Sequence, residues 1–261
     1  MASVLTTDLA HAVYSGNVLE SGVFRIQGEI EGTAFALTSE LFVTAGHVAR
    51  TLADSSGRGG VNITAPEGSR QSVAVVLDSE EIGSDMALLR VEHLAPESVR
   101  WVRHLRWAGR TLGALEPVAT IGYPYGFYRD AEPIQIVSRA FSGHVVAALK
   151  SFKPMGSQLV PFPVYELSFG APRGLSGAPL FSLVGKELCV NGVVIGNSKS
   201  SMLILAQSVE ETESRTVRTE HYESLSLGLA SQVSAVFAHQ SRILGATIGH
   251  WLTEHGLLAG T

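Results

Sequence analysis

The sequence predicts an all-β fold, two packed β-barrels followed by a C-terminal helix, on three observations. Short β-branched runs recur along most of the chain, broken by Gly, Pro, Asn and Ser. Glycine is abundant, 27 of 261 residues, as a fold of many tight turns requires. The hydrophobic period then changes. From Val233 the apolar residues Val236, Phe237, Ile243, Leu244, Ile248 and Leu252 fall mostly three or four apart, the spacing of a helix face.

In chain order, strands are expected over 23–27, 33–37, 41–44, 61–64, 72–77 and 86–91. The segment 93–113 breaks the rhythm with Pro96 and with Arg100, Arg103, Arg106 and Arg110 interleaved among Trp101 and Trp107. It reads as a connector, solvated on its arginines, with the tryptophans packed inward. A basic, aromatic binding patch is the other reading. Strands resume over 118–122, 134–137, 143–147, 164–167, 178–181, 188–195, 202–206 and 226–230. Two long loops are expected. One spans 150–162. The other, 209–223, is polar and charged, and a helix there would have only a thin apolar face. The resulting division is an N-terminal segment 1–20, a first barrel 21–98, a connector 99–116, a second barrel 117–232 and a helix 233–261.

Composition narrows the function classes. Hydrophobic residues make up 45% and charged residues 16%, enough apolar material for a large core. The net charge of −5 and the absence of a Lys/Arg block exclude a nucleic-acid footprint. No stretch reaches the roughly 18 apolar residues of a membrane helix, and the first nine residues lack the basic start and apolar run of a signal peptide. The single cysteine, Cys189, permits no intrachain disulfide and points to a reducing compartment. A cytoplasmic protein with neither a membrane nor a nucleic-acid partner is expected.

Three motifs carry chemistry. In Phe42-Val-Thr-Ala-Gly-His47-Val, a β-branched strand ends in small residues that present a histidine. A general base must be held rigidly with one ring nitrogen free. In Gly83-Ser-Asp85-Met-Ala-Leu-Leu, one aspartate opens an apolar strand, where it can accept from the other ring N–H and hold the tautomer. In Arg173-Gly-Leu-Ser176-Gly-Ala-Pro, a serine lies among glycines. A turn at Gly174 can aim its own N–H and that of Ser176 at one point, an oxyanion hole. Each motif alone is weak. Their order, with His47 and Asp85 in the first half and Ser176 in the second, is specific.

These blocks resemble the signatures of the trypsin-like serine proteases, and are similar to those of the disulfide-poor bacterial branch that includes the high-temperature-requirement proteases. Gly32-Thr-Ala-Phe, Ile121-Gly-Tyr-Pro and Leu227-Gly-Leu-Ala-Ser-Gln-Val support the likeness, which covers about residues 22–232. The resemblance implies two six-stranded antiparallel barrels with a cleft between them. It also implies peptide hydrolysis through an acyl-enzyme, with His47, Asp85 and Ser176 as triad, Gly174 and Ser176 as oxyanion donors, and no metal or cofactor. It places the specificity pocket between 168–173 and 194–198, with Gly170, Arg173, Ile195, Gly196 and Asn197 as candidate substrate-binding residues. Gly170, six before the nucleophile, is not acidic, so apolar or small side chains are expected at the cleavage position. His144 is a second candidate for reading an acidic side chain, although a surface histidine on a strand is the plainer reading.

Two departures matter. Ala178 replaces a second glycine and stays small. Leu175 replaces the aspartate that pairs with a freed N-terminus in secreted trypsins, so that activation switch is absent. Restraint by a regulatory partner, through 209–223 or the N-terminal 6–20, is therefore expected beside the protein or peptide substrate. The alternative is a barrel that kept the fold as a binding module and lost proteolysis. His250 and His255, five apart, make a poor metal pair; His221 reads as solvated and Cys189 as a core residue.

Overall fold

The computed structural model describes residues 9, 12, 22–27, 31–54, 60–64, 71–92, 99, 102–124, 138–154, 158–212 and 215–259. The expected strand 134–137, Arg100 and Trp101 lie outside them, as does nearly all of 1–20.

The first barrel closes in the order β1-β2-β3-β6-β5-β4. Its strands are β1 (Val23–Gln27), β2 (Gly32–Ala36), β3 (Leu41–Ala45), β4 (Gly60–Thr64), β5 (Gln71–Gly83) and β6 (Met86–Val91). Alternate residues explain the unbroken apolar runs of β2, β3 and β6, because both faces are buried. Ala34, Ala36, Phe42, Ala87 and Leu89 fill the barrel. Their neighbours Phe35, Val43, Met86 and Leu88 join Phe181, Val190 and Val193 of the second barrel in a shared core.

The second barrel contains β8 (Pro117–Gly122), β9 (Arg139–Phe152), β10 (Phe162–Leu167), β11 (Pro179–Val184), β12 (Glu187–Thr212) and β13 (Arg215–Gln232). They run β11-β8-β9-β10-β13-β12, and β11–β12 pairing closes the ring. Two six-stranded antiparallel barrels thus make up the molecule.

Four expectations need correction. The connector holds a two-residue strand, β7 (Trp107–Ala108), and Trp107 is completely buried. It pairs in parallel with β12 and with β14 (Leu258–Ala259). The expected loop 209–223 is instead strand: β12 and β13 pair from Gly192↔Gln232 to Thr212↔Arg215. The β-branched residues Val209, Thr212, Thr216, Val217 and Thr219 suit a ladder, and the cross-strand hydrogen bonds that order it are invisible in a charge pattern. Strands 188–195 and 202–206 are one strand for the same reason.

The C-terminal segment is not one helix. A 3-10 turn (Val233–Val236) is followed by irregular chain and then α2 (Ile248–Glu254), whose start is capped by Thr247. The physical reason is competition for backbone donors. The N–H groups of Arg242 and Ile243 go to the Glu80 carboxylate at 2.8 and 2.9 Å instead of to a helical turn. Gly245, at φ 70°, then turns the chain.

That carboxylate belongs to a tether between β5 and the C-terminal segment. Arg242 grips both oxygens of Asp78 at 2.7 and 2.9 Å, and Arg90 adds a contact at 2.9 Å. The Arg242 hydrogen bonds, opposed in part by burial, hold Asp78 at about 2. Burial pushes Glu80 upward, but the N–H groups of Ile243 and Arg242 and the Ser241 hydroxyl outweigh it and leave it lowered. An unfolded aspartate titrates near 3.9. The stability Asp78 contributes is therefore full above about pH 4 and is lost as the pH falls through about 2. An Arg242→Ala variant should unfold at lower urea than wild type at pH 7. The gap between their midpoints should narrow steadily between pH 4 and pH 2.

Candidate functional site

His47 opens α1 (Gly46–Asp54) at the end of β3, so a rigid apolar strand delivers it. Asp85 arrives on the turn between β5 and β6. Ser84 and Asp85 have φ of 53° and 52°, left-handed values that cost a non-glycine residue about 1–3 kcal/mol each. Five hydrogen bonds hold this turn. Asp85 C=O accepts from Gly46 N–H at 2.7 Å, and Oδ1 accepts from His47 N–H at 2.9 Å. Oδ2 lies 2.8 Å from His47 Nδ1. Arg50 Nη2 donates to Oδ1 at 3.1 Å, and the Ser231 hydroxyl donates to Ser84 C=O at 2.5 Å from the second barrel. Asp85 is 7% exposed. A carboxylate held in this way fixes the imidazole with Nδ1–H toward it and leaves Nε2 to take a proton.

Arg50 also donates to Glu81 at 2.5 Å, so a surface carboxylate shares the cation that faces Asp85. It lies one helical turn beyond His47 on α1, a spacing that could have marked it. Ser231 lies in the Leu227-Gly-Leu-Ala-Ser-Gln-Val block, but nothing in the sequence marked its contact with the Ser84 carbonyl.

Ser176 belongs to the loop before β11. The loop is pinned to the first barrel by Thr33, a fully buried threonine. Thr33 N–H donates to Ser176 C=O at 2.8 Å, and the Thr33 hydroxyl donates to Gly174 C=O at 2.8 Å while accepting from Tyr123 N–H at 3.0 Å. Thr33 C=O in turn accepts from the Thr44 hydroxyl at 2.8 Å. Sequence reasoning passed over Thr33; a lone polar residue within Gly32-Thr-Ala-Phe-Ala was the available signal. Gly174 has φ 90° and is buried. Among the described residues, neither Gly174 N–H nor Ser176 N–H donates to any acceptor, whereas the flanking Leu175 and Gly177 N–H groups are bonded to Pro172 and Val194. The same residues provide no hydrogen bond between the Ser176 hydroxyl and His47.

His47, Asp85 and Arg50 line a cavity of about 650 Å³ with Phe152, Lys153, Pro154, Leu159, Ile195, Gly196, Asn197, Ser198 and Leu229; Ser176 is not among its lining residues. Ile195, Gly196 and Asn197 are thus brought to one cleft with His47. Gly170 lies 3.6 Å from Asn197 Oδ1, measured from where a Cβ would stand. Arg173 is exposed on its turn. The remaining candidates fall elsewhere. His144 is exposed on β9, and His255 stacks on Trp251 at 3.9 Å. His250 pairs with Glu254 at 3.2 Å. Cys189 is buried, and burial pushes its thiol to about 11.

The closeness of loop and barrel makes a prediction. A Cβ on Gly177 would lie 1.9 Å from Thr33 C=O and 2.3 Å from the Thr44 hydroxyl, at φ 91°. At Gly83, also left-handed at φ 90°, a Cβ would meet nothing within 4 Å. Gly177→Ala should therefore destabilise by more than about 3 kcal/mol. Gly83→Ala should cost only the conformational penalty of about 1–2 kcal/mol. Urea unfolding of the two variants checks the contrast.

No protein-family model matches the chain, and no curated protein matches it significantly. Solved structures do. The active form of the Rv3671c protease from M. tuberculosis is 23% identical, over 92% of this chain and 86% of that one, with a TM-score of 0.58. The inactive form is 22% identical over 90% and 94%, with a TM-score of 0.57. Deg5 is 17% identical over 72% and 85%, with a TM-score of 0.53. At such identities the likeness is one of architecture: the chain has the double six-stranded β-barrel fold of the trypsin-like serine proteases.

Proposed function

We propose that this protein is a serine endopeptidase that cleaves peptide bonds through an acyl-enzyme, with His47, Asp85 and Ser176 as its triad. The observation that carries the reading is the 2.8 Å contact between His47 Nδ1 and a buried Asp85 at a cleft that both line, with the Ser176 loop pinned to the same barrel through Thr33. Ser176 Oγ attacks the substrate carbonyl while His47 Nε2 takes its proton. Asp85 stabilises the imidazolium that forms, and His47 then returns the proton to the leaving amine. The N–H groups of Gly174 and Ser176 receive the negative charge on the tetrahedral oxygen. Both are without an acceptor among the described residues, as such donors must be.

Finer features belong to the same proposal. The substrates are proteins or peptides. The single buried Cys189 supports a reducing, cytoplasmic setting, and among the described residues no helix is long and apolar enough to cross a membrane. The three motifs support a place in the disulfide-poor bacterial branch. The missing hydrogen bond between Ser176 and His47 supports a site completed when substrate binds, and Leu175 in place of the activation aspartate supports restraint by a regulatory partner.

Labelling by a fluorophosphonate probe tests the reading. Wild type should label and hydrolyse peptides, and Ser176→Ala should do neither. Equal labelling of both proteins, or a labelled protein that cleaves no peptide, would overturn it. Thr33 acts as a positioning residue, because its hydroxyl holds the carbonyl between the two oxyanion donors. Thr33→Val should lower kcat by about 10-fold or more with little change in KM, and Thr33→Ser should restore it. Steady-state kinetics on one peptide separate these outcomes.

A further inference from the structure

The loop bearing Ser176 and strand β12 run side by side. Gly177 N–H donates to Val194 C=O at 2.8 Å, and Val194 N–H donates to Ala178 C=O at 2.9 Å. This pairing sets the chain just before the loop, 170–173, against the continuation of β12 at 195–198, and in the endopeptidase reading the substrate side chain enters between them. That gap is where Asn197 lies. Its Oδ1 accepts from Ala171 N–H at 2.6 Å, and its Nδ2 donates to Ala171 C=O at 2.7 Å. One carboxamide satisfies both backbone groups of a residue on the opposite wall and so spans the gap as a strut.

Behind the strut Gly228 packs tightly on the backbone of Phe169, while position 170 has room for a Cβ at ordinary contact distance. Gly228 N–H donates to Phe169 C=O at 2.7 Å, and a Cβ on Gly228 would lie 2.5 Å from that oxygen. A Cβ on Gly170 would lie 3.6 Å from Asn197 Oδ1 and 3.8 Å from Ser226 C=O. Asn197 also lines the cavity beside His47, whereas Gly170 and Ala171 do not.

We infer that Asn197 sets the size limit at the cleavage position, so that the enzyme cuts beside Gly, Ala or Ser and rejects Leu, Phe and other large side chains. The inference rests on the endopeptidase reading above. A small side chain fits in front of the strut. A large one must break both hydrogen bonds and leave Ala171 N–H and C=O without partners, which makes exclusion stronger than steric crowding alone. Sequence reasoning left the choice between small and apolar residues open; the carboxamide bridge decides it.

The test uses the full chain and a set of quenched fluorescent peptides that differ at one residue, with cut positions read by mass spectrometry. Wild type should show kcat/KM at least about 10-fold higher beside Ala or Ser than beside Leu or Phe. Asn197→Ala removes the strut and should raise kcat/KM for Leu and Phe by about 10-fold or more, reversing or flattening the order. Asn197→Gly should do the same. Wild type that cuts equally well beside large residues, or variants with the wild-type profile, would overturn the size limit. Fluorophosphonate labelling separates the two levels of failure. A protein that labels at Ser176 but prefers large residues refutes only the role of Asn197. One that neither labels nor cleaves refutes the endopeptidase reading, and the size limit with it.

Discussion

The cleft depends on how closely one loop of the second barrel can approach two strands of the first. At Gly177 no side chain has room, since a Cβ would stand 1.9 Å from Thr33 C=O, far inside van der Waals contact. That approach lets Thr33 reach across with its N–H and its hydroxyl to hold the carbonyls of Ser176 and Gly174. The position of Ser176 relative to His47 is therefore a property of the barrel junction and not of the serine loop alone. The junction is backed by a shared core of Phe35, Val43, Met86, Phe181, Val190 and Val193, which fixes how the barrels meet. Close packing of this kind transmits small shifts, so changes far from the cleft can reach it.

The opposite wall of the cleft is held in another way. The Ser84–Asp85 turn is strained and cannot rely on its own conformational preference. It stays in place because backbone, imidazole, guanidinium and hydroxyl donors converge on it from α1 and β13. Strand β5, which leads into this turn, is itself anchored. Asp78 and Glu80 secure it to the C-terminal segment, and Glu81 secures it to Arg50. Strain at the aspartate is thus balanced by ion pairs and hydrogen bonds along the second half of the strand, from Asp78 to Glu81. Those ion pairs are half-exposed, so their contribution is modest singly and matters as a network.

Shape and polarity divide the rest of the cleft. Phe152, Leu159, Ile195 and Leu229 give it an apolar flank continuous with the core cluster around Phe162. Asn197, two residues on along the same strand, bridges to the backbone of Ala171. One strand thereby supplies an apolar surface and a polar strut within three residues. The kink that permits this lies at Gly196, where φ is 144° and the β12–β13 register shifts.

The sequence by itself determined the fold class, because alternating or continuous apolar runs bounded by Gly and Pro have few other solutions. Strands 23–27 and 86–91 were legible to the residue, and the three motifs marked His47, Asp85 and Ser176 by their local setting. What the tertiary structure decided is whatever depends on partners distant in the chain. The ladder between β12 and β13 turned a charged segment into strand. The Glu80 carboxylate drew backbone donors away from a helix that the apolar spacing favoured. A parallel pairing with β12 and β14 made strand of Trp107–Ala108 inside a connector. Thr33, Arg50 and Ser231 gained their roles from contacts made across the barrel or the cleft. Asn197, ordinary in the sequence, became a strut because folding set its carboxamide against the backbone of Ala171, 26 residues away. Local sequence reports what each segment prefers, and these contacts exist only once the barrels close.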